Sequence, residues 1–298
     1  MKRSFLTAIS VIMMLGACNP SGTDIGEEDG LSAFSADSLG RHIAVLAGDD
    51  CLGRKPFTEG ETNTIQYLKQ QFIATGLEPG NGNSYFQEVP MVNITTHAAP
   101  DMQVRSGKGN FILKGHDEYV IWTDKTDTAV SLRNDELVFA GYGVVAPEYN
   151  WNDYEGLDVK GKVVMVLVND PGYNSGDTSL FKGKTMTYYG RWTYKFEEAA
   201  RQGAKACLVI HDTEAASYPF TVVQNNWNTS RLRLDPQGRQ EQLCDIIGWI
   251  SGPAARKLLT AAGKDTTLLT SADKRGFKGI SLPLRLSTSM QVKTDYNQ

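Results

Sequence analysis

Two runs constrain this chain more than anything else in it: "KVVMVLVND" (162–170) and "ACLVIHD" (206–212). Apolar and β-branched residues follow one another there without the polar alternation of a half-buried strand, so both read as central, fully covered strands. Between them "YGRWTYKFEEAARQGAK" (189–205) reads as a helix, with Phe196, Ala199 and Ala200 on a small apolar face and Gly203 at its end. Further strand candidates lie on either side: "YFQEVPMVNI" (85–94), "DMQVRS" (101–106), "NFILKG" (110–115), "EYVIWT" (118–123), "ELVFAGYGVVAP" (136–147) and "GISLPLRLSTSM" (279–290). A second helix is marked by Ser251 as cap, Pro253 in the first turn and Gly263 at the close. Strands outnumber helices, which predicts an α+β domain of roughly 190 residues with two inserted helices and no repeats.

Two helices precede this domain. Ser35 is placed to cap a helix whose apolar positions Leu39, Ile43 and Leu46 recur at helical spacing, with Gly48 at its end. Thr58 and Glu61 form a T-x-x-E capping box for a second helix; Ile65, Leu68 and Phe72 make its stripe, and Gly76 and Pro79 stop it. That stripe must bury against something, and a helical pair alone supplies too little core.

The first 18 residues stand apart. Lys2 and Arg3 precede "FLTAISVIMML", an apolar stretch too short to span a bilayer, which predicts a signal peptide over 1–17. Gly16 and Ala17 directly before Cys18 resemble the bacterial lipobox. That resemblance implies cleavage before Cys18, acylation of its sulfur, a flexible tether over 18–33, and a cell-envelope protein held to a membrane by lipid, on the periplasmic side or at the outer surface. Three further cysteines, Cys51, Cys207 and Cys244, lack CxxC spacing and predict neither a zinc knot nor a disulfide framework; one bridge among them is left open. Lys and Arg number 30 against 34 Asp and Glu, with no basic run interleaved with aromatics, so a nucleic-acid partner has no electrostatic footing.

Motifs for chemistry mostly fail on their own terms. "GYGVVA" (141–146) satisfies G-x-G-x-x-A, but Pro147 follows and no helix N-terminus is available for a pyrophosphate. "GKT" (183–185) lacks the first P-loop glycine, since Thr178 stands there. No G-x-S-x-G and no H-E-x-x-H occurs. His116 and His211 each neighbour an aspartate, but adjacent strand residues point to opposite faces, so a structural histidine is the expected outcome for both. His42 is expected as a partly buried flank of the first helix. The aromatic cluster Tyr188, Tyr189, Trp192, Tyr194 and Phe196 is expected as core and domain seam, with a contact surface as the rival reading, and Trp227 is weighed in the same way.

One resemblance gathers these pieces. "LAGDDCLGRKPFTEGETNTIQYLKQQFIATGLEPG" is similar to the N-terminal region of M28-family zinc aminopeptidases of the bacterial envelope, matching their D-E-x-x-G-R turn and T-E-G helix at Asp49, Asp50, Gly53, Arg54, Thr58, Glu59 and Gly60, with Asp50 where Glu is usual. "LVFAGYGVVAPEYNWNDYEGLDVKGKVVMVLVNDPGY", "KFEEAARQGAKACLVIHD" and "GWISGPAARKLL" look like the protease-associated (PA) domain such enzymes carry as an insertion. The resemblance implies residues 34–97 as the N-terminal segment of an incomplete M28-type α/β peptidase domain, 98–290 as the PA domain, and 291–298 as a truncated return. It also implies two zinc ions in the complete family domain, held by His, Asp, Glu, Asp and His with a Glu as general base. Their motifs, A-H-x-D, D-D-N-A-S-G and E-E, do not occur in this sequence in that setting, so no catalytic or metal residue is assigned here. The expected role is the non-catalytic part of such an enzyme, gating substrate or binding a peptide or protein partner. The alternatives are a stand-alone envelope binding lipoprotein built on a PA domain, and a fragment of a longer gene.

Overall fold

The structure is a computed structural model that describes residues 30–31, 34–238 and 241–296. The signal segment 1–17, the lipidation site Cys18 and all but two residues of the tether lie outside the described residues. The chain divides into two compact units between Gln87 and Glu88.

The first unit holds helix α1 (Ala36–Leu46), a 3-10 turn (Asp49–Arg54) and helix α2 (Glu59–Ala74). Ser35 caps α1 as expected, its hydroxyl accepting the Ser38 N–H at 3.4 Å. The capping box closes one residue upstream of the expected place. Glu61 accepts the Phe57 N–H at 2.6 Å, while the Thr58 hydroxyl donates to the Lys55 carbonyl at 2.6 Å. Leu52, Gly53 and Arg54 all take positive φ, so the turn doubles back onto the start of α2, where the Asn63 amide donates to the Asp50 carbonyl at 2.8 Å. Gly60 permits that approach. A Cβ there would overlap the Cys51 carbonyl oxygen and stand 3.1 Å from Leu52 Cβ. Gly60→Ala is therefore expected to destabilise this turn–helix junction by about 1–3 kcal/mol. Hydrogen exchange of the α2 amides would report it, and protection equal to the native chain's would contradict it. The apolar stripe of α2 is open at two of its three positions, with Leu68 38% and Phe72 45% exposed and Ile65 half-buried. His42 is exposed rather than partly buried; α1 has no buried residue among those described, and the His42 Nδ1 shares a 2.6 Å hydrogen bond with the Tyr67 hydroxyl of α2.

The second unit is mixed α and β and strand-rich, in keeping with the expected class. Its strands begin with β1 (Met91–Ala98), β2 (Asp101–Ser106), β3 (Gly109–Lys114), β4 (Tyr119–Trp122) and β5 (Ala129–Phe139). A short ribbon, β6 (Val145–Ala146) and β7 (Trp151–Asn152), precedes β8 (Val163–Leu167), helix α3 (Trp192–Arg201) and β9 (Ala206–His211). Then come β10 (Ser230–Leu234), β11 (Ile246–Ser251), helix α4 (Gly252–Ala261) and β12 (Ile280–Asp295). One sheet runs β10-β1-β12-β5-β8-β9-β11-β4, with β2 also on β12 and β3 on β2.

The two runs that dominate the sequence occupy the middle of this sheet. Strands β5, β8, β9 and β11 are parallel neighbours, and α3 makes the crossover from β8 to β9. Val163 and Met165 face one core and Val164 and Val166 the other, which is why these strands carry no polar alternation. The long β12 tolerates Pro283 because the ladder with β5 shifts register between Leu282 and Arg285. Residues 93–98 and 290–295 pair with each other here, Asn93 opposite Asp295 and His97 opposite Gln291. The expected domain limits at 97/98 and 290/291 thus fall inside hydrogen-bonded strands.

Candidate functional site

Trp192, Phe196 and Ala200 recur every fourth residue along α3 and so share one side of it. Together with Leu243 and Cys244 at the approach to β11 and Ile247 within it, they line a hollow of about 350 Å³. Phe196 packs on the end of β4: Trp122 meets Phe196 edge-to-face at 5.7 Å and Trp192 at 6.3 Å. The Arg231 guanidinium lies over the Trp122 ring at 4.2 Å. Burial lowers the Arg231 pKa to about 10; its Nη2 donates to the Asn226 carbonyl at 3.1 Å and its Nη1 is buried without a hydrogen-bond partner among the described residues.

Four charged residues line the hollow: Asp124 just beyond β4, Arg233 on β10, and Glu197 and Arg201 on α3. Arg233 directs its Nη1 to Glu241 at 2.5 Å, leaving Asp124 with only a 3.9 Å contact to the Arg233 Nε. Burial raises the Asp124 pKa, opposed chiefly by Arg233 and Arg231. Among the described residues no side-chain hydrogen bond reaches the Asp124 carboxylate. The site is therefore an apolar pocket with an under-satisfied anion in its wall.

The other side of α3 carries a group that no sequence pattern singles out. Lys195 is 0% exposed and its Nζ makes no hydrogen bond among the described residues; the Tyr142 and Tyr194 rings lie 5.8 and 6.0 Å away. Its charge is opposed by two buried carboxylates. Asp153 accepts the Val144 N–H and the Trp151 indole N–H, both at 2.9 Å. Asp170 accepts the Thr187 N–H at 2.9 Å and its hydroxyl at 2.7 Å. Burial is the largest influence on each: it pulls the Lys195 pKa down to about 7, pushes Asp153 up to about 7 and raises Asp170. Asp153 also lines a separate hollow of about 530 Å³ with Trp151, Arg275 and Lys278. The one signal in the sequence is that Lys195 stands a turn before Ala199, inside the apolar face.

The residues weighed from the sequence do not converge. His211 is buried at the end of β9, ringed by Tyr218, Phe220 and Trp249. Its Nε2–H donates to the Tyr218 carbonyl at 3.0 Å, and burial lowers its pKa, so it stands neutral. Asp212 is turned to the Ala215 N–H at 2.9 Å. His116 pairs with Asp117 at 2.9 Å on the surface. The aromatic cluster divides: Trp192 and Phe196 face the pocket, while Tyr194 hydrogen-bonds both the N–H and the carbonyl of Val145 at 3.1 Å and packs on Tyr188 and Tyr189. Cys51, Cys207 and Cys244 are free and buried. Among the described residues no group of three or more His, Cys, Asp or Glu side chains is placed to hold a metal ion. Gly141–Ala146 runs into a 3-10 turn (Pro147–Tyr149), with no helix for a phosphate.

No family model and no curated protein sequence matches the chain. Among solved structures it is similar to an aminopeptidase from Aneurinibacillus sp. strain AM-1, at 16% identity and a TM-score of 0.36. The match covers 87% of this chain and 45% of that one, so the chain spans less than half of the solved protein's length.

Proposed function

We propose that the chain is the non-catalytic part of an envelope peptidase of the M28 type. In this reading the first unit belongs to the peptidase domain and the second is a PA domain that binds peptide or protein and gates access to the cleft. Acylated Cys18 holds the assembly on a membrane, and the two zinc ions belong to the complete family domain. The observation that carries the reading is the open stripe of α2, where Leu68 and Phe72 stand exposed on a helix with well-formed ends. A stripe of that kind is suited to packing on an α/β sheet. The pocket beside α3 supports the binding role. A stand-alone binding lipoprotein, the second reading, calls for a covered or polar α2, and Leu68 and Phe72 weigh against it.

The purified chain is expected to release no N-terminal amino acids from peptides and to hold no stoichiometric zinc by elemental analysis. Peptidase activity accompanied by bound zinc would overturn the non-catalytic assignment. The binding role is tested by titrating the chain with short unstructured peptides. Absence of any saturable binding would remove it.

A further inference from the structure

We infer that the pocket beside α3 takes a peptide segment in which a bulky apolar side chain stands next to a lysine or arginine. The inference rests on the second unit being a peptide-binding module. The apolar half follows from the floor: Phe196, Ala200, Cys244 and Ile247 are buried side chains that nonetheless line the hollow, and Trp192, 41% exposed, forms its open wall. A volume of about 350 Å³ accommodates one large side chain, towards the lower limit of ligand pockets.

The cationic half follows from Asp124. Its carboxylate is partly desolvated, accepts no side-chain hydrogen bond among the described residues, and has its nearest cation at 3.9 Å because Arg233 is drawn to Glu241. An incoming ammonium or guanidinium supplies the donors that this acceptor lacks. The remaining charges of the lining are already engaged. Glu197 accepts the Tyr188 hydroxyl at 2.8 Å, and Arg201 bonds Glu198 at 2.8 Å. Asp124, beside Arg233 and Arg231, is thus the lining carboxylate that no side-chain hydrogen bond reaches among the described residues. An acidic neighbour on the ligand would meet it as a like charge.

The test uses the full chain and three acetylated, amidated pentapeptides, Gly-Lys-Phe-Gly-Gly and its Glu-Phe and Lys-Ala counterparts, titrated by calorimetry. The Lys-Phe peptide is expected to bind at least about tenfold more tightly than either counterpart, the margin set by a hydrogen bond to a charged acceptor and by one buried aromatic side chain. Asp124→Asn should bring Lys-Phe and Glu-Phe to similar affinity while keeping the preference for Phe over Ala. Ala200→Phe, which fills the floor, should weaken all three. Equal binding of Lys-Phe and Glu-Phe by the native chain overturns the inference and leaves peptide binding intact. An Ala200→Phe chain that binds as the native one does also overturns it, since the site then lies elsewhere. Failure of all three peptides to bind, with no other peptide binding either, removes both the inference and the binding role beneath it.

Discussion

Lys195→Met is expected to lower the stability of the second unit by about 3–5 kcal/mol at neutral pH, because it removes the cation that opposes two buried carboxyl groups, leaving Asp170 unpaired and forcing Asp153 to take up a proton. Lys195 is fully covered, and methionine retains most of its aliphatic length, so the loss is expected to be chiefly electrostatic in origin. All five tryptophans lie in the second unit, so tryptophan fluorescence in urea follows this unit alone. The pH dependence separates charge from packing. Asp153 has its pKa raised from 3.8 to about 7, so between those values the folded state holds a proton that the unfolded chain has released, and stability falls as pH rises. Lys195 has its pKa lowered from 10.5 to about 7, so between 7 and 10.5 the unfolded chain holds the extra proton, and stability rises with pH. The variant lacks that second limb, and its Asp153, deprived of the ammonium, stays protonated to still higher pH. The stability gap between native and variant should therefore widen as pH climbs above 7. A gap that is constant from pH 5 to 9 would assign the loss to packing and refute the charge argument. Adding Asp153→Asn to Lys195→Met should restore part of the loss.

The same cluster marks where sequence reasoning stops. Strands β8 and β9 and helix α3 are legible because burial on two faces or on one stripe imposes a local pattern. Lys195 is not, since a lysine on an amphipathic helix reads as solvated and its carboxylate neighbours come from two separate loops. Strands β10 and β11 escape for different reasons. "SRLRL" alternates arginine with leucine at an edge, and β11 carries Gly248 at its centre, which weakens any strand signal. The structure explains that glycine: a Cβ would overlap the Val120 carbonyl of β4, so β4 and β11 approach only because residue 248 has no side chain. The pairing of β1 with β12 joins segments from opposite ends of the unit, a non-local contact that no window of sequence contains. The pocket beside α3 shows in the sequence only as a cluster of aromatic residues. Which of them face it depends on Trp122, about 70 residues upstream in a short strand.

Trp122→Ala is the other large effect, with an expected cost of about 3–5 kcal/mol from the cavity it leaves in the core. The residue holds more than its own volume. Its ring supports the Arg231 guanidinium from one side and the edges of Phe196 and Trp192 from another, so truncation removes the surface on which a partly desolvated cation rests. Two consequences distinguish this from simple cavity formation. Trp122→Phe should recover most of the stability, since an aromatic face and most of the volume remain. Arg231→Met should also cost less in the Trp122→Ala background than in the native chain, because the guanidinium has already lost its platform. Urea denaturation followed by far-ultraviolet circular dichroism gives the four stabilities of that cycle. Strict additivity of the two substitutions would mean that the stacked pair carries no energy of its own, and a loss below about 1 kcal/mol for Trp122→Ala would mean that the core closes over the gap. With Trp122→Ala the Phe196 and Trp192 rings lose the contact that sets their orientation towards the pocket. Peptide affinity should then fall further than stability alone requires, under conditions where the variant remains fully folded.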